Sequence, residues 1–252
     1  MIVSNNNFYG FIPDGMGKLS QLREIETQYN ELNGAIPPRN LTIFNISSLL
    51  QISIRVNKIF EKFPEDPCNR LTMLEFLQLS DNKFHGEMPP SLLQCNALYK
   101  LLDLSYNDFT DFVFVFTQQS LYLGGNRLSG ETPGNISNFS KLTTLDLSPN
   151  SFSGRVLINL GNLQDLQIIY NQLTNDPSML ELDFLISLKN CRHLKKIQID
   201  SNSFDGMLPK ALGNLSACVK IFIAYSSGIK GMIPNEVGIM GNLIELCMEA
   251  MN

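Results

Sequence analysis

Tryptophan is absent from these 252 residues, and histidine occurs only twice, at His85 and His193. With so little imidazole there is almost nothing from which to build a His-ligated metal centre or a histidine proton relay. The five cysteines, Cys68, Cys95, Cys191, Cys218 and Cys247, include no CxxC pair, which disfavours a thiolate metal site. Their odd number leaves at least one unpaired in a secreted chain. Cys191 and Cys218 fall where the interior is expected and read as small buried hydrophobes. Positive charge is also scarce: 19 Lys and Arg against 24 Asp and Glu give a net charge of −5. Such a balance argues against nucleic-acid or anionic-membrane partners. The longest apolar run, Phe112 to Phe116, is far below the roughly 20 residues of a membrane helix. Neither a GxxxxGK phosphate loop nor a GxSxG nucleophile elbow occurs. No catalytic residue, metal or cofactor is therefore expected, and the chain is not expected to be an enzyme.

What the sequence does have is a recurring asparagine. Asn6, Asn30, Asn57, Asn82, Asn107, Asn126, Asn150, Asn171 and Asn202 are separated by 24, 27, 25, 25, 19, 24, 21 and 31 residues. Apolar residues stand eight, five and three places before almost every one, and another stands two places after. Leu74, Leu77, Leu79 and Phe84 frame Asn82; Leu194, Ile197, Ile199 and Phe204 frame Asn202. The apolar residues five and three places before the asparagine alternate with polar neighbours, which is strand spacing. A period of this length means a solenoid in which stacked coils pair their strands into a parallel sheet. Each asparagine is expected to satisfy the backbone groups of the turn leaving the strand, because its amide offers two donors and an acceptor. Asp103 and Asp146 occupy one repeat-equivalent position in separate coils and read as structural.

A second motif follows the first. Gly10-Phe11-Ile12-Pro13, Gly34-Ala35-Ile36-Pro37, Gly86-Glu87-Met88-Pro89, Gly206-Met207-Leu208-Pro209 and Gly231-Met232-Ile233-Pro234 share one slot, as does Gly130-Glu131-Thr132-Pro133. Glycine permits backbone conformations that other residues resist, and proline then fixes φ. The composite run LxxLxLxxNxLxGxIPxxLGNL resembles the plant-specific leucine-rich repeat over essentially the whole chain. The resemblance implies an α/β repeat solenoid, a curved leucine-rich repeat horseshoe or right-handed superhelix. Its parallel β-sheet lies on the concave face, with short helical or irregular convex segments. It also implies a non-catalytic ligand- or partner-binding segment of a plant leucine-rich repeat receptor, such as a receptor-like kinase ectodomain. The stretch Leu182 to Leu194 resembles the receptor-kinase subfamily that includes bacterial-pattern receptors, which points to pathogen-pattern perception. The alternatives are a secreted standalone interaction protein, such as an inhibitor of a wall-degrading enzyme or a decoy, and a truncated gene remnant.

One leucine-rich repeat solenoid of about ten coils is expected over 1–252, with an irregular short repeat at 108–126 and a longer helical repeat at 172–202. In the short repeat Asp111 replaces the motif glycine and Gln118 holds the first apolar position, so a weak point is expected near 108–120. After Asn202 the next ladder position reads as Ser226. The opening Met1-Ile2-Val3-Ser4-Asn5 has no basic or apolar leader character, and the family's paired-cysteine caps are missing at both ends. An internal fragment or truncated product is expected, placed by the resemblance on the extracellular face of the plasma membrane. Sequons at Asn40, Asn45, Asn135, Asn138 and Asn214 fit a secretory origin and are expected glycan acceptors. Residues four places and one place before each asparagine should face solvent on the sheet. Tyrosine offers large amphipathic contact area at modest entropy cost. Tyr106, Tyr122, Gln167, Tyr170, Gln198, Phe222 and Tyr225 are accordingly the expected surface for a peptide or protein ligand or a co-receptor ectodomain.

Overall fold

A computed structural model describes residues 1–34, 43–111, 118–132, 141–156, 162–215 and 217–249. It forms two compact units, Met1–Arg127 and Leu128–Asn252. In the first, the strands Glu24–Glu26, Gln51–Ser53, Phe76–Gln78, Leu101–Asp103 and Ser120–Tyr122 run parallel, one per coil. Their register aligns Ile25, Ile52, Leu77, Leu102 and Leu121, each five places before its asparagine. In the second, Thr144–Asp146, Asp165–Gln167, Lys196–Gln198, Ile221–Ile223 and Glu245–Cys247 pair in the same way. There Leu145, Leu166, Ile197, Phe222 and Leu246 are aligned.

The inward frame is dry. Leu74, Leu77, Leu79, Leu194, Ile197 and Ile199 are all buried to 1% exposure or less. At about 25 cal/mol per Å² of apolar surface, this burial is the main driving force for stacking the coils. The phenylalanines two places past the asparagines form a second inward row. In the first unit Phe84 and Phe109 stack with centroids 6.4 Å apart, and Phe63 meets Phe84 edge-on at 6.2 Å. In the second, Phe184 and Phe204 lie 5.2 Å apart.

The asparagine amides hold the coils together. Asn107 Nδ2 donates to the carbonyls of Leu104 and Ser105 in its own coil and of Leu79 in the previous one, each at 3.1 Å. Its Oδ1 accepts the Phe84 amide at 3.0 Å. Asn30, Asn57, Asn82, Asn126, Asn171 and Asn202 repeat this pattern. At most ladder positions the residue just before takes a left-handed backbone, as do Tyr29, Val56, Asp81, Tyr106, Tyr170 and Ser201 at φ 47–56°; Pro149 does not. That conformation turns the chain inward at the amide, at a cost in any residue with a Cβ.

The chain pairs again beyond the turn, at positions the repeat code does not mark as strand. Tyr9–Gly10, Glu31–Gly34 and Lys58–Ile59 form a second short parallel sheet in the first unit. Ser129–Glu131, Ser151–Arg155 and Gln172–Thr174 do so in the second. Identical exits from the turn bring equivalent amides and carbonyls into register. The motif prolines Pro13, Pro89, Pro209 and Pro234, at φ −62 to −75°, open 3₁₀ turns on the far side of the coil. One true α-helix occurs among the described residues, Asp183–Ser187, followed by the 3₁₀ turn Leu188–Asn190.

Three expectations need correction. The ladder position after Asn202 is Ser227, which is buried and donates from Oγ to the Ala224 carbonyl at 2.5 Å. Ser226 instead takes the left-handed place before it, at φ 47°. The one-residue shift moves Phe222 to the inward position opposite Ile197, where it is fully buried, so it is core and not ligand surface. Cys218, expected inside, is exposed, whereas Cys191 is buried. Cys68 and Cys95 form a disulfide between the turns Pro67–Asn69 and Pro90–Gln94. The irregular repeat is described only in part: residues 112–117 of the expected weak point lie outside the described residues. Within it, the Gln118 side chain is buried and donates to the Leu98 carbonyl at 3.0 Å, which lets an amide stand where leucine is usual.

Candidate recognition surface on the sheet

Strand alternation puts every residue not facing the core onto one outward sheet face. In the first unit this face holds a shallow groove of ≈ 480 Å³ lined by Arg55, Phe76, Gln78, Lys100, Asp103 and Tyr122, among others. Lys100 Nζ lies 2.5 Å from Glu75 Oε2 and 5.0 Å from the Phe76 ring centre. The Glu75 hydrogen bond pushes its pKa up. Arg55 donates from Nη2 to the Tyr29 hydroxyl at 3.2 Å, with its guanidinium 5.7 Å from that ring's centre. Its Nε is buried without a hydrogen-bond partner. Asp103 Oδ1 accepts from the Ser105 amide at 3.1 Å and hydroxyl at 2.6 Å. The groove thus offers two cations, one oriented carboxylate and aromatic edges.

Tyr122 lies in this groove, half-buried, and Tyr106 stands beside it at 59% exposure. The Tyr106 ring lies on Gly125, where an added Cβ would meet the ring at 2.6 Å and where φ is +68°. A side chain there would have to push the Tyr106 ring aside, whereas the positive φ alone is one that Tyr29 and Val56 adopt at the equivalent place.

The second unit presents a different face. Gln167 and Gln198 are cross-strand neighbours and half-buried. Tyr170 is 48% exposed, Tyr225 half-buried. Asp146 lies opposite Gln167 and Asp165 opposite Lys196 on neighbouring strands. Burial pushes the carboxyls of Asp146 and Asp165 up, opposed in Asp146 first by bonds from Ser148 and in Asp165 first by Lys196. The Tyr170 hydroxyl, then Asp200, raise the pKa of the Tyr225 hydroxyl beyond its usual range. Arg55, Lys100 and Asp200 were not singled out from the sequence; tabulating the positions two and seven places before each asparagine would have found them.

Among the described residues no three His, Cys, Asp or Glu side chains come together to hold a metal. Of the sequon asparagines, Asn214 is exposed and Asn45 half-buried, whereas Asn40, Asn135 and Asn138 lie outside the described residues.

The Leucine Rich Repeat family matches residues 73–95, 119–139, 141–163 and 193–215. Receptor-like kinase TMK2 of Arabidopsis thaliana is 27% identical over 240 residues, covering 93% of this chain and 24% of that protein. Receptor-like protein 39 of the same plant is 31% identical over 321 residues, covering 99% of this chain and 36% of its own length. The crystal structure of the Arabidopsis receptor kinase HAESA with the peptide hormone IDA and the co-receptor SERK1 superposes with a TM-score of 0.83 at 28% identity, over 97% of this chain and 40% of that one. The chain therefore spans about a quarter to a third of the curated relatives it matches. The inward leucine frame, the asparagine ladder, the paired parallel strands and these likenesses together make the chain a leucine-rich repeat solenoid, akin to the repeat regions of plant receptor-like kinases and receptor-like proteins.

Proposed function

We propose that this chain is a ligand-binding segment of a plant leucine-rich repeat receptor ectodomain, displayed on the extracellular face of the plasma membrane. Its outward sheet face recognises a peptide or protein ligand, with a co-receptor ectodomain as a second partner and pathogen-pattern perception as the finer role. The carrying observation is the sheet face itself: a groove with Arg55, Lys100, Asp103 and Tyr122 on paired parallel strands. Tyr106 and Tyr170, each about half exposed, add aromatic contact area to their own units' faces. Side chains projecting from paired strands hold their places without prior ordering, which reduces the entropic cost of binding. HAESA, of like fold, is seen with a peptide hormone and a co-receptor. No helix among the described residues is long and apolar enough to cross a membrane.

Panning the secreted chain against a displayed library of extended peptides tests this. Enriched peptides should bind wild type and lose at least tenfold in affinity on Tyr122→Ala or Lys100→Ala, while Lys18→Ala, on a far-side turn, leaves them unchanged. Peptides equally indifferent to all three variants would overturn the assignment of the face.

A further inference from the structure

The first unit's groove holds two cations, and only one of them has an acid of its own. Lys100 Nζ is paired with Glu75 Oε2 at 2.5 Å. Arg55 enters no ion pair among the described residues. Its side chain is half-buried and held in place all the same. Nη2 donates to the Tyr29 hydroxyl at 3.2 Å, and the guanidinium lies 5.7 Å from the centre of that ring. Both contacts are with a neutral side chain, so the charge stays uncompensated. Nε is covered, whereas Nη1 has no partner among the described residues and is not covered. The groove's own acid, Asp103, is turned to Ser105 through Oδ1. Coil stacking does not ask for a cation at this place. Two residues before the other ladder asparagines of the first unit's described sheet stand Gln28, Ser80, Ser105 and Gly124, all neutral. Ordering a long side chain and drawing its charge partly out of water both cost free energy, which a carboxylate from outside the chain would offset.

We propose that Arg55 is the subsite for an acidic side chain, Asp or Glu, of a peptide ligand. The subsite rests on the reading of the sheet face as a ligand surface and gives that ligand an acid. A guanidinium presents its N–H donors in the planar fork that a carboxylate matches. Because Tyr29 already fixes the guanidinium, less freedom is lost when the acid arrives. Phe76 and Gln78, on the adjoining strand, line the same groove and give the ligand chain something to lie on. A doubly charged phosphate group fits less well, since it calls for a second free cation and Lys100 is taken by Glu75. A chain-terminal carboxylate also fits less well. The sheet continues on both sides of this coil, with Glu24–Glu26 on one and Phe76–Gln78 on the other, so a peptide crossing the strands need not end there.

Two displayed peptide libraries test the subsite, one containing Asp and Glu, the other with Asn and Gln in their place. Both are panned against the full chain. Wild type should enrich acid-bearing peptides. Changing the enriched acid to its amide should weaken binding roughly fivefold or more on wild type, and leave it nearly unchanged on Arg55→Gln, the coupling expected of residues in contact. Arg55→Glu should instead enrich peptides carrying Lys or Arg. Lys18→Gln, in a far-side turn, should leave the acid preference as it is. The acid-to-amide comparison on wild type needs no variant to fold. Equal yields from the two libraries, or an acid-to-amide loss that persists on Arg55→Gln, would overturn the subsite. A preference abolished by amidating the peptide's C-terminus would overturn it in favour of the chain end. If the acid is dispensable while binding still falls on Tyr122→Ala or Lys100→Ala, the subsite fails and the receptor reading stands. Peptides indifferent to Arg55, Tyr122 and Lys100 alike would remove both.

Discussion

The ladder asparagine works because one small amide meets four backbone groups that lie in two coils. Removing it strands the amide it accepts from and takes one of two donors from each carbonyl, which Asn82, Asn126 and the Asp81 amide also bond. Asn107→Ala leaves the Phe84 amide and the Leu79, Leu104 and Ser105 carbonyls without that partner. A buried unpaired group costs roughly 1–3 kcal/mol and each carbonyl loses a bond besides, so a loss of about 3 kcal/mol is expected. Thermal denaturation followed by circular dichroism should show a midpoint lower by about 6–12 °C. Titration adds a second residue-scale prediction. Burial raises the folded-state pKa of Asp146 and Asp165 above the unfolded value, so the folded chain holds these protons more tightly. Their contribution favours folding below the unfolded pKa near 3.8 and is lost as pH rises through the raised folded value. Asp146→Asn should therefore match or exceed wild type in melting temperature at pH 7, and the advantage should vanish at pH 3. A wild-type lead at pH 7 would show that the Ser148 bonds outweigh burial.

Each coil is too short to be stable alone and draws its stability from contacts with its neighbours. Local cross-links therefore act on neighbouring coils. The Cys68–Cys95 disulfide joins two successive far-side turns and closes a loop of 27 residues. Constraining a loop of this size is worth about 3 kcal/mol in the chain-entropy description. Reductant, or the double change Cys68→Ala and Cys95→Ala, should lower the unfolding midpoint by several degrees. Insensitivity to reductant in the wild type would mean the bond contributes nothing. The buried Cys191 thiol, its pKa pushed up to about 11 by burial, should resist alkylation in the same experiment, whereas the exposed Cys218 reacts.

At the scale of the molecule, repeat architecture makes stability a sum of coil and interface terms, so the poorest coil sets where opening starts. The first unit closes on the shortened repeat, where Gln118 replaces a leucine and Asp111 the motif glycine. Hydrogen exchange should find the amides of Asp108 and Thr110 opening at lower free energy than those of Leu79 and Asp81, deeper in the same unit. Equal protection would remove the weak point. The net charge of −5 and the mixed signs in the first unit's groove further predict that ligand affinity falls with salt.

The amino-acid order alone determined the coil period, the inward residues such as Leu77 and Ile197, and the asparagines that bind one coil to the next. It could do so because every coil repeats one local code, and neighbours meet through equivalent positions. Tertiary structure decided whatever joins non-equivalent positions. Cys68 and Cys95 sit at different offsets from their asparagines, so no column of the repeat pairs them. Taking Ser227 rather than Ser226 as the ladder position changes the face on which Phe222 lies, and the pairing of Phe222 with Ile197 fixes that register. The resting of Tyr106 on Gly125 and the seating of Asp200 beside Tyr225 depend on side-chain rotamers across coils, which periodicity does not encode.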